Sequence, residues 1–105
     1  MIIRAWNGWT TPENAKAYEE LLNGTIAPAI MAREIPGLRD LAVLRRVTQE
    51  AQNHFLTLMT FDNWQAVEEF AGPDAANSVV PPTARALLAR HDAHSQHFEL
   101  LRRHR

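Results

Sequence analysis

The chain contains no cysteine, and this absence removes several kinds of chemistry at once. Disulfides, thiolate metal sites, iron–sulfur clusters and a cysteine nucleophile are all excluded. A chain without cysteine also fits the reducing cytoplasm, where we expect the protein to reside. Glycine is scarce as well, and its four copies are scattered along the sequence rather than grouped. The glycine-rich loop of dinucleotide-binding folds is therefore missing.

Neither sign of charge dominates, because 11 Lys and Arg face 12 Asp and Glu for a formal net charge of −1. Non-specific binding to nucleic acid or to an anionic membrane needs a basic surplus, so we expect neither partner. No apolar run approaches the roughly 18–20 residues of a membrane span, and the first residues lack the pattern of a signal segment. The 105 residues, 46% of them hydrophobic, predict one globular domain over 1–105.

The first strand and the start of the first helix follow from local residue types. Residues 2–9 are rich in β-branched and aromatic side chains and predict a strand. The helix after it has two candidate starts. Thr10 with Glu13 three residues later makes a capping box, whereas Thr11 as the cap would place Pro12 at the first helical position.

Two residues interrupt the apolar face of this first helix. Apolar side chains recur at helical spacing from Tyr18 to Ile30, but Gly24 and Pro28 lie among them. A proline ring clashes with the carbonyl four residues earlier, here that of Gly24. We therefore expect a kink or a break near Gly24.

A hairpin and a second helix follow. Residues 38–48 and 53–61 predict two strands, and the polar residues 49–52 between them predict the hairpin loop. The second helix is predicted to start at Asp62, with Gln65 at the capping-box position.

The last third of the chain completes the pattern. Gly72 and Pro73 stop the second helix, Pro81 and Pro82 open a third helical piece, and residues 92–101 predict a fourth strand. The order β-α-β-β-α-β, with right-handed crossovers, predicts an α+β, ferredoxin-like fold. It has a four-stranded antiparallel sheet with the helices on one face.

Both faces of this sheet are expected to be apolar. In the strand 53–61, Phe55 and Met59 point to one side, while Leu56 and Leu58 point to the other. Helices are available for one face only, and an exposed apolar patch usually marks an interface. We therefore predict a homodimer that packs sheet against sheet. The alternative is a monomer whose C-terminal segment folds over the bare face.

Five segments together carry a resemblance that covers nearly the whole chain: IIRAWNGWT running into TPENAKAYEELL, the IPGL turn, LTLMTFDNWQAVEEFAG, VVPPTARALL and SQHFEL. In these segments the chain resembles the dimeric α/β-barrel superfamily and, within it, the antibiotic-biosynthesis-monooxygenase-like domains. The resemblance implies a dimer with a pocket between sheet and helices in each protomer. Family members include cofactor-free oxygenases of polycyclic phenols, haem-degrading enzymes and small isomerases.

The haem-degrading branch is matched only in part. It resembles this sequence at Asn7, where it also has a strand-one asparagine, and Phe70 falls near its helix-two aromatic. The position of its iron-binding histidine falls near Val80, however, and no histidine lies between His54 and His91. The resemblance therefore implies no haem and no other cofactor for this chain.

Asn7 and His97 are the candidate catalytic residues. Alternation along the first strand assigns Asn7, with Ala5, to the face covered by helices, where its amide would offer both a donor and an acceptor to a substrate. His97 shares a strand face with Ser95 and has a pKa suited to a general base at neutral pH. The alternatives are a buried asparagine that satisfies the backbone and a hydrogen-bonded structural histidine.

Trp64, Phe70, Trp9 and Met59 are the candidate substrate-binding residues. Flat or flexible apolar side chains would line a pocket for a planar ligand, or would simply fill the core. Strand arginines, Arg4 among them, are candidate anchors for an anionic substrate or surface ion-pair partners.

No metal site is expected from His91, His94 and His97. On one strand, His91 and His97 would share a face roughly 20 Å apart, and His94 would point to the other side. The resemblance implies a cofactor-free oxygenase acting on an aromatic or polyketide-like small molecule. The alternative is a non-catalytic ligand-binding or structural dimer of the same fold.

Overall fold

The computed structural model describes residues 1–47, 53–76 and 80–105, and these ranges form one open antiparallel sheet with the helices on one face. A π-helical turn at Leu22–Ile26 joins the first two helices. The remaining elements are β1 (Ile2–Thr10), α1 (Pro12–Leu21), α2 (Ala27–Met31), β2 (Leu38–Arg45), β3 (Asn53–Phe61), α3 (Trp64–Ala71), α4 (Pro82–Leu87), β4 (Arg90–His91) and β5 (Gln96–Glu99). The α+β, ferredoxin-like prediction is confirmed.

The sheet runs in the order β2-β3-β1, and β4 and β5 both pair with the far edge of β1. The prediction of one continuous strand over 92–101 is therefore wrong, because two short strands share that edge. Asp92 marks the interruption: its amide donates to the Asn7 carbonyl, and its carboxylate accepts the Asn7 backbone N–H. A side chain thus replaces the next bond of the ladder.

The register of β1 settles which of its residues meet the helices. Arg4 pairs with Met59 and Gly8 pairs with Phe55, and this even-numbered face lies under the helices. The assignment of Asn7 to the helix-covered face is wrong, because Asn7 lies on the opposite, outer face of the sheet. The alternation of side chains along β1 was predicted correctly, but the covered face and the outer face were exchanged. The covered face carries a charged residue, Arg4, and a glycine, Gly8, and neither residue type indicates an interior position.

The first helix begins in the second of the two predicted ways. Pro12 occupies the first helical position after Thr11, whose side chain makes no capping hydrogen bond. Thr10 instead closes β1 and is completely buried. The fixed φ of proline and its missing N–H suit this position, so the backbone starts the helix without a side-chain cap.

The expected kink near Gly24 takes the form of a wider turn. The Ala27 amide donates to the Leu22 carbonyl, five residues back, and the helical path continues through Pro28. A proline cannot donate a helical hydrogen bond, and a π-type turn relieves the clash with the preceding turn. In a regular α-helix, side chains four residues apart are rotated by about 40° relative to each other around the axis. The wider π-helical turn contains an extra residue and so compensates for this rotation. Leu22, Ile26 and Ile30 consequently keep facing the sheet.

Two other boundaries differ from the sequence prediction. β2 ends at Arg45, and the predicted loop 49–52 lies outside the described residues. α3 is capped by Asn63, whose side-chain oxygen accepts the Ala66 amide at 3.0 Å, and not by Asp62. Asp62 forms an ion pair with Arg39 on β2 instead.

The core consists of two clusters under the helices. The first joins α1 and α4 to the sheet, and the second joins α3 to it. Their buried members are Ala15, Tyr18, Leu22, Phe55 and Ala84 in one cluster and Met59, Phe61, Ala66, Val67 and Ala75 in the other. Within 1–47, 53–76 and 80–105, no helix is long and apolar enough to cross a membrane.

Candidate ligand cavity

A cavity of about 70 Å³ lies between the two core clusters and is partly open to solvent. The sheet forms its floor. Helix α1, the π-helical turn and helix α2 form one wall, and the region around α4 forms another. Its lining is Arg4, Trp6, Tyr18, Leu22, Ile26, Ala27, Ile30, Leu41, Val43, Thr57, Met59, Phe70, Val80, Pro81, Ala84 and Ser95. Most of this surface is apolar, with a small number of polar groups set into it, which is the usual composition of a small-molecule site.

Arg4 brings a cationic group to this apolar surface. The residue is only 4% exposed. Its Nη1 donates to the Ala75 carbonyl at 2.6 Å and to His97 Nε2 at 2.9 Å, and its guanidinium lies 5.3 Å from the centre of the Phe70 ring. Burial lowers the pKa of Arg4, because a charged group loses favourable hydration in such surroundings. The Ala75 carbonyl and His97 Nε2 are uncharged acceptors, and together they hold the Arg4 side chain in place.

His97 lies beside the cavity and supports Arg4. A guanidinium only donates hydrogen bonds, so His97 Nε2 must accept, and the ring proton is then on Nδ1. Burial, and to a lesser extent the charge of Arg4, lowers the pKa of His97, which favours this neutral form. The Trp64 ring packs edge-on against His97 at 4.9 Å between centroids.

Trp6 and Tyr18 form the other polar part of the wall. The Trp6 indole N–H donates to the Asp92 carbonyl at 2.9 Å, which fixes the ring where the edge of the sheet is interrupted. Tyr18 is 1% exposed and packs edge-on against Phe55 at 5.0 Å between centroids. Burial raises the pKa of Tyr18 to about 12, so its hydroxyl keeps its proton near neutral pH.

The structure divides the six predicted site residues into three groups. Phe70 and Met59 line the cavity. His97 and Trp64 lie behind Arg4 and do not line it. Asn7 and Trp9 lie on the outer face of the sheet, on the far side of β1 from the cavity.

On that outer face, Asn7 links two other side chains. Its Nδ2 donates to Asp92 Oδ2 at 2.8 Å, and its Oδ1 lies 2.6 Å from His54 Nε2, which must donate to it. His54 Nδ1 is buried and has no hydrogen-bond partner within the part of the chain that the structure describes. This network ties β3 to the interruption between β4 and β5.

Trp9 is held in a stack beside the network. The His54 ring lies parallel to the Trp9 indole at 4.7 Å between centroids, and the Arg90 guanidinium lies 3.9 Å from the centre of the Trp9 ring. The indole is therefore in contact with side chains of β3 and β4 and not with the cavity.

Comparison with known proteins identifies the fold of the chain. No family model matches the chain, and no curated protein matches it. Solved structures do. A Bacillus cereus protein classed with the antibiotic biosynthesis monooxygenases superposes with a TM-score of 0.71 at 9% identity, over 99% of this chain and 96% of that one. A Deinococcus radiodurans protein of the same class gives 0.69 at 19% identity, over 100% and 97%.

This chain has the fold of the antibiotic biosynthesis monooxygenases. The predicted resemblance is thereby confirmed. The similar structures also include SnoaB, a cofactor-independent oxygenase from Streptomyces nogalater, with a TM-score of 0.62 at 16% identity over 97% of this chain and 95% of that one. The haem-degrader MhuD from Mycobacterium tuberculosis, with two haems bound in its active site, gives 0.61 at 18% identity over 96% and 97%.

Within this monooxygenase fold, the described part of the cavity wall has no histidine to hold a haem iron. Phe70 and Val80 both line the cavity, and Val80 lies near the position at which the haem-degrading branch has its iron-binding histidine. Tyr18 and Met59 are the lining residues of the types that also bind haem iron in other proteins, but the Tyr18 hydroxyl keeps its proton near neutral pH. Among the described residues, no group of three His, Cys, Asp or Glu side chains is arranged to hold a metal ion.

The most informative residues of the site were not singled out from the sequence. Arg4 was one of several strand arginines, and Tyr18 was only one of the apolar positions on a helix face. One signal was available: Arg4 shares its strand face with Ile2, Trp6 and Gly8, so it lies in a row with little other polarity. Recognising that row as the buried face would have placed a cation inside the protein.

Proposed function

We propose that the protein is a small cofactor-free oxygenase that binds an aromatic or polyketide-like molecule as its phenolate or enolate anion. The observation that carries the proposal is the buried Arg4 at the wall of a mostly apolar cavity. The oxygenases among the structural neighbours support it at the level of the fold only, since one fold hosts many activities.

Arg4 provides the electrostatic part of the reaction. Two unit charges 4 Å apart attract by about 4 kcal/mol at an effective dielectric constant of 20. This attraction lowers the pKa of a phenol bound opposite the guanidinium, and the released proton leaves to solvent. His97 is then a positioning residue, because its Nε2 accepts from Arg4 and cannot at the same time accept a proton from the substrate.

The anion itself supplies the electrons. An electron-rich phenolate transfers one electron to O₂, and the resulting radical pair combines to a peroxide anion at a ring carbon. This anion takes up a proton from solvent, equal to the one released on ionisation, and becomes a hydroperoxide. Loss of water then leaves a quinone: one oxygen atom stays on the ring, and the other leaves with that proton and the hydrogen of the ring carbon, so no external reductant is needed.

The apolar walls keep water away from this chemistry. Met59 and Phe70 flank Arg4, and Trp6 lies further along the floor. A cavity near 150 Å³ is enough to hold benzene. The volume of about 70 Å³ therefore takes part of one ring, and the rest of a larger ligand extends through the open side.

The outer face of the sheet supports the homodimer proposal. Leu44 is 41% and Phe98 is 52% exposed there, next to Leu56 and Leu58. No described helix covers this face. A second copy would present the same apolar surface, so the two sheets would complement each other about a two-fold axis.

Oxygen consumption tests the proposed activity. Anthrone and 1-naphthol would be supplied in chelator-treated buffer under ¹⁸O₂, with the wild-type protein and Arg4→Met compared. We expect faster oxygen uptake with the wild type than with the variant, and one ¹⁸O atom in each quinone formed. Binding of both compounds without uptake above the buffer rate would contradict the oxygenase and favour a ligand-binding protein.

A further inference from the structure

The Tyr18 hydroxyl is a polar group of the cavity wall that the proposed reaction does not use. Tyr18 lines the cavity, yet no hydrogen bond to its hydroxyl is formed within the described part of the chain. Within the described residues, the fully enclosed side-chain atoms without a partner are Thr10 Oγ1 and His54 Nδ1, so the Tyr18 oxygen keeps some contact with open space. Since Tyr18 lines the cavity, its hydroxyl can be offered to a ligand there.

Gly8 makes the room in which this hydroxyl lies. A side chain at Gly8 would place its first carbon 3.3 Å from the Tyr18 oxygen, 3.3 Å from Trp6 Cζ3 and 2.9 Å from Leu88 Cδ2. The Tyr18 hydroxyl, the edge of the Trp6 ring and Leu88 thus pack closely over the glycine, which places the hydroxyl beside Trp6, another residue of the cavity lining. Gly8 and Arg4 are on one face of β1, four residues or roughly 13 Å apart along the strand.

The chemical role of the hydroxyl is fixed by its proton. Burial raises the pKa of Tyr18 to about 12, so at neutral pH the group is a phenol and donates. A ligand that displaces water from this part of the cavity leaves the donor without a partner unless the ligand itself offers an acceptor. A carbonyl oxygen is such an acceptor.

We propose that Tyr18 is a specificity-determining residue that selects ligands carrying a carbonyl oxygen at the Gly8 end of the cavity. The inference rests on the proposed function, because it assigns the other end of the ligand, an ionisable hydroxyl, to Arg4. The substrate class is thereby narrowed to aromatic molecules that carry an acidic hydroxyl on one side and a ketone or quinone oxygen on the other.

A matched ligand pair tests this inference. The compounds 6-hydroxy-1-tetralone and 5,6,7,8-tetrahydro-2-naphthol share one skeleton, and only the first has a ketone. Dissociation constants would be measured by calorimetry for the wild type, Tyr18→Phe and Thr57→Val. Thr57→Val is the control, because the Thr57 hydroxyl also belongs to a lining residue but already donates to the Trp6 carbonyl.

We expect Tyr18→Phe to weaken binding of 6-hydroxy-1-tetralone roughly 3- to 10-fold, the range of one hydrogen bond. The same substitution should weaken binding of 5,6,7,8-tetrahydro-2-naphthol by less than about 2-fold. Thr57→Val should not distinguish the two ligands. Infrared spectroscopy adds a readout that does not depend on protein stability: the ketone stretch of the bound tetralone should lie at lower frequency in the wild type than in Tyr18→Phe.

Each outcome separates the two proposals. Equal effects of Tyr18→Phe on both ligands, or an unchanged ketone band, would overturn the role of Tyr18 while leaving the anion site at Arg4 intact. If Tyr18→Phe selectively weakens binding of the tetralone but the wild type shows no oxygen uptake with anthrone or 1-naphthol, the role of Tyr18 is supported and the oxygenase is contradicted. Failure of both compounds to bind the wild type would overturn both.

Discussion

Replacing Asn7 by alanine tests whether the strand-one asparagine serves the fold or a ligand. The change removes the amide that donates to Asp92 at 2.8 Å and accepts from His54 at 2.6 Å. Asp92 keeps the Asn7 backbone N–H, but the His54 Nε2 donor is left without its partner. Its Nδ1 already has none.

The expected loss is set by these two hydrogen bonds. A bond to a charged group contributes roughly 1.5–3 kcal/mol and a neutral one roughly 0.5–1.5 kcal/mol. Both are partly buried, so we take a value near the lower ends of these ranges, about 2 kcal/mol. At roughly 4–8 °C per kcal/mol for a domain of this size, Tm should fall by about 8–16 °C.

Thermal denaturation followed by circular dichroism measures this change, with Asn23→Ala as the control at an exposed asparagine. Binding of 6-hydroxy-1-tetralone should be unchanged in Asn7→Ala at a temperature where the variant is folded, because Asn7 does not line the cavity. A Tm within 2–3 °C of the wild type together with lost binding would refute this reasoning and return Asn7 to a catalytic role.

Three further predictions concern packing, assembly and pH. Gly37→Ala should destabilise the protein by about 2–4 kcal/mol in urea denaturation, because Gly37 has φ +89° and a Cβ there would lie 2.8 Å from that of Ala66. Gly72→Ala isolates the backbone part, because Gly72 has φ +82° and ψ −173° with open space around it, and should lose about 1–3 kcal/mol. Leu58→Arg would bury a charge in the proposed sheet-to-sheet interface and should convert a sedimenting dimer to monomer; a wild type that sediments as a monomer would contradict the interface. Because the folded-state pKa of His97 is lowered, the unfolded chain binds its proton first, so stability should fall as pH drops below about 6.5. His97→Gln should flatten this decline, and an undiminished decline would assign it to other groups.

The fold could be predicted because its signals are local. Strand β3 was predicted with its bounds, since its last seven residues, 55–61, form an uninterrupted run of apolar and β-branched side chains. Of the two candidate starts of the first helix, the one with Pro12 at the first helical position is the one that forms. The break in the last strand could not be seen, because it depends on the Asp92 side chain bonding to Asn7, 85 residues away.

The site was harder to predict because its polar residues are buried against expectation. Sequence patterns treat a strand arginine as exposed, whereas Arg4 is held inside by Ala75 and His97, which come from distant parts of the chain. Phe70 and Met59 could be assigned to the covered face because apolar residues at regular spacing mark such a face, and both line the cavity. Which face of β1 was covered depended on pairing that alternation alone does not determine.

The ionisation state of a bound phenol tests the account's central claim, that the cavity stabilises an anion beside Arg4. The ultraviolet spectrum of 6-hydroxy-1-tetralone distinguishes phenol from phenolate, so its pKa can be titrated free and in complex with the wild type and Arg4→Met. We predict a pKa for the wild-type complex at least about one unit below that of the free ligand, as an opposite charge nearby produces, and no such shift in the variant. An unshifted pKa in the wild-type complex, or an equal shift in Arg4→Met, would contradict the claim.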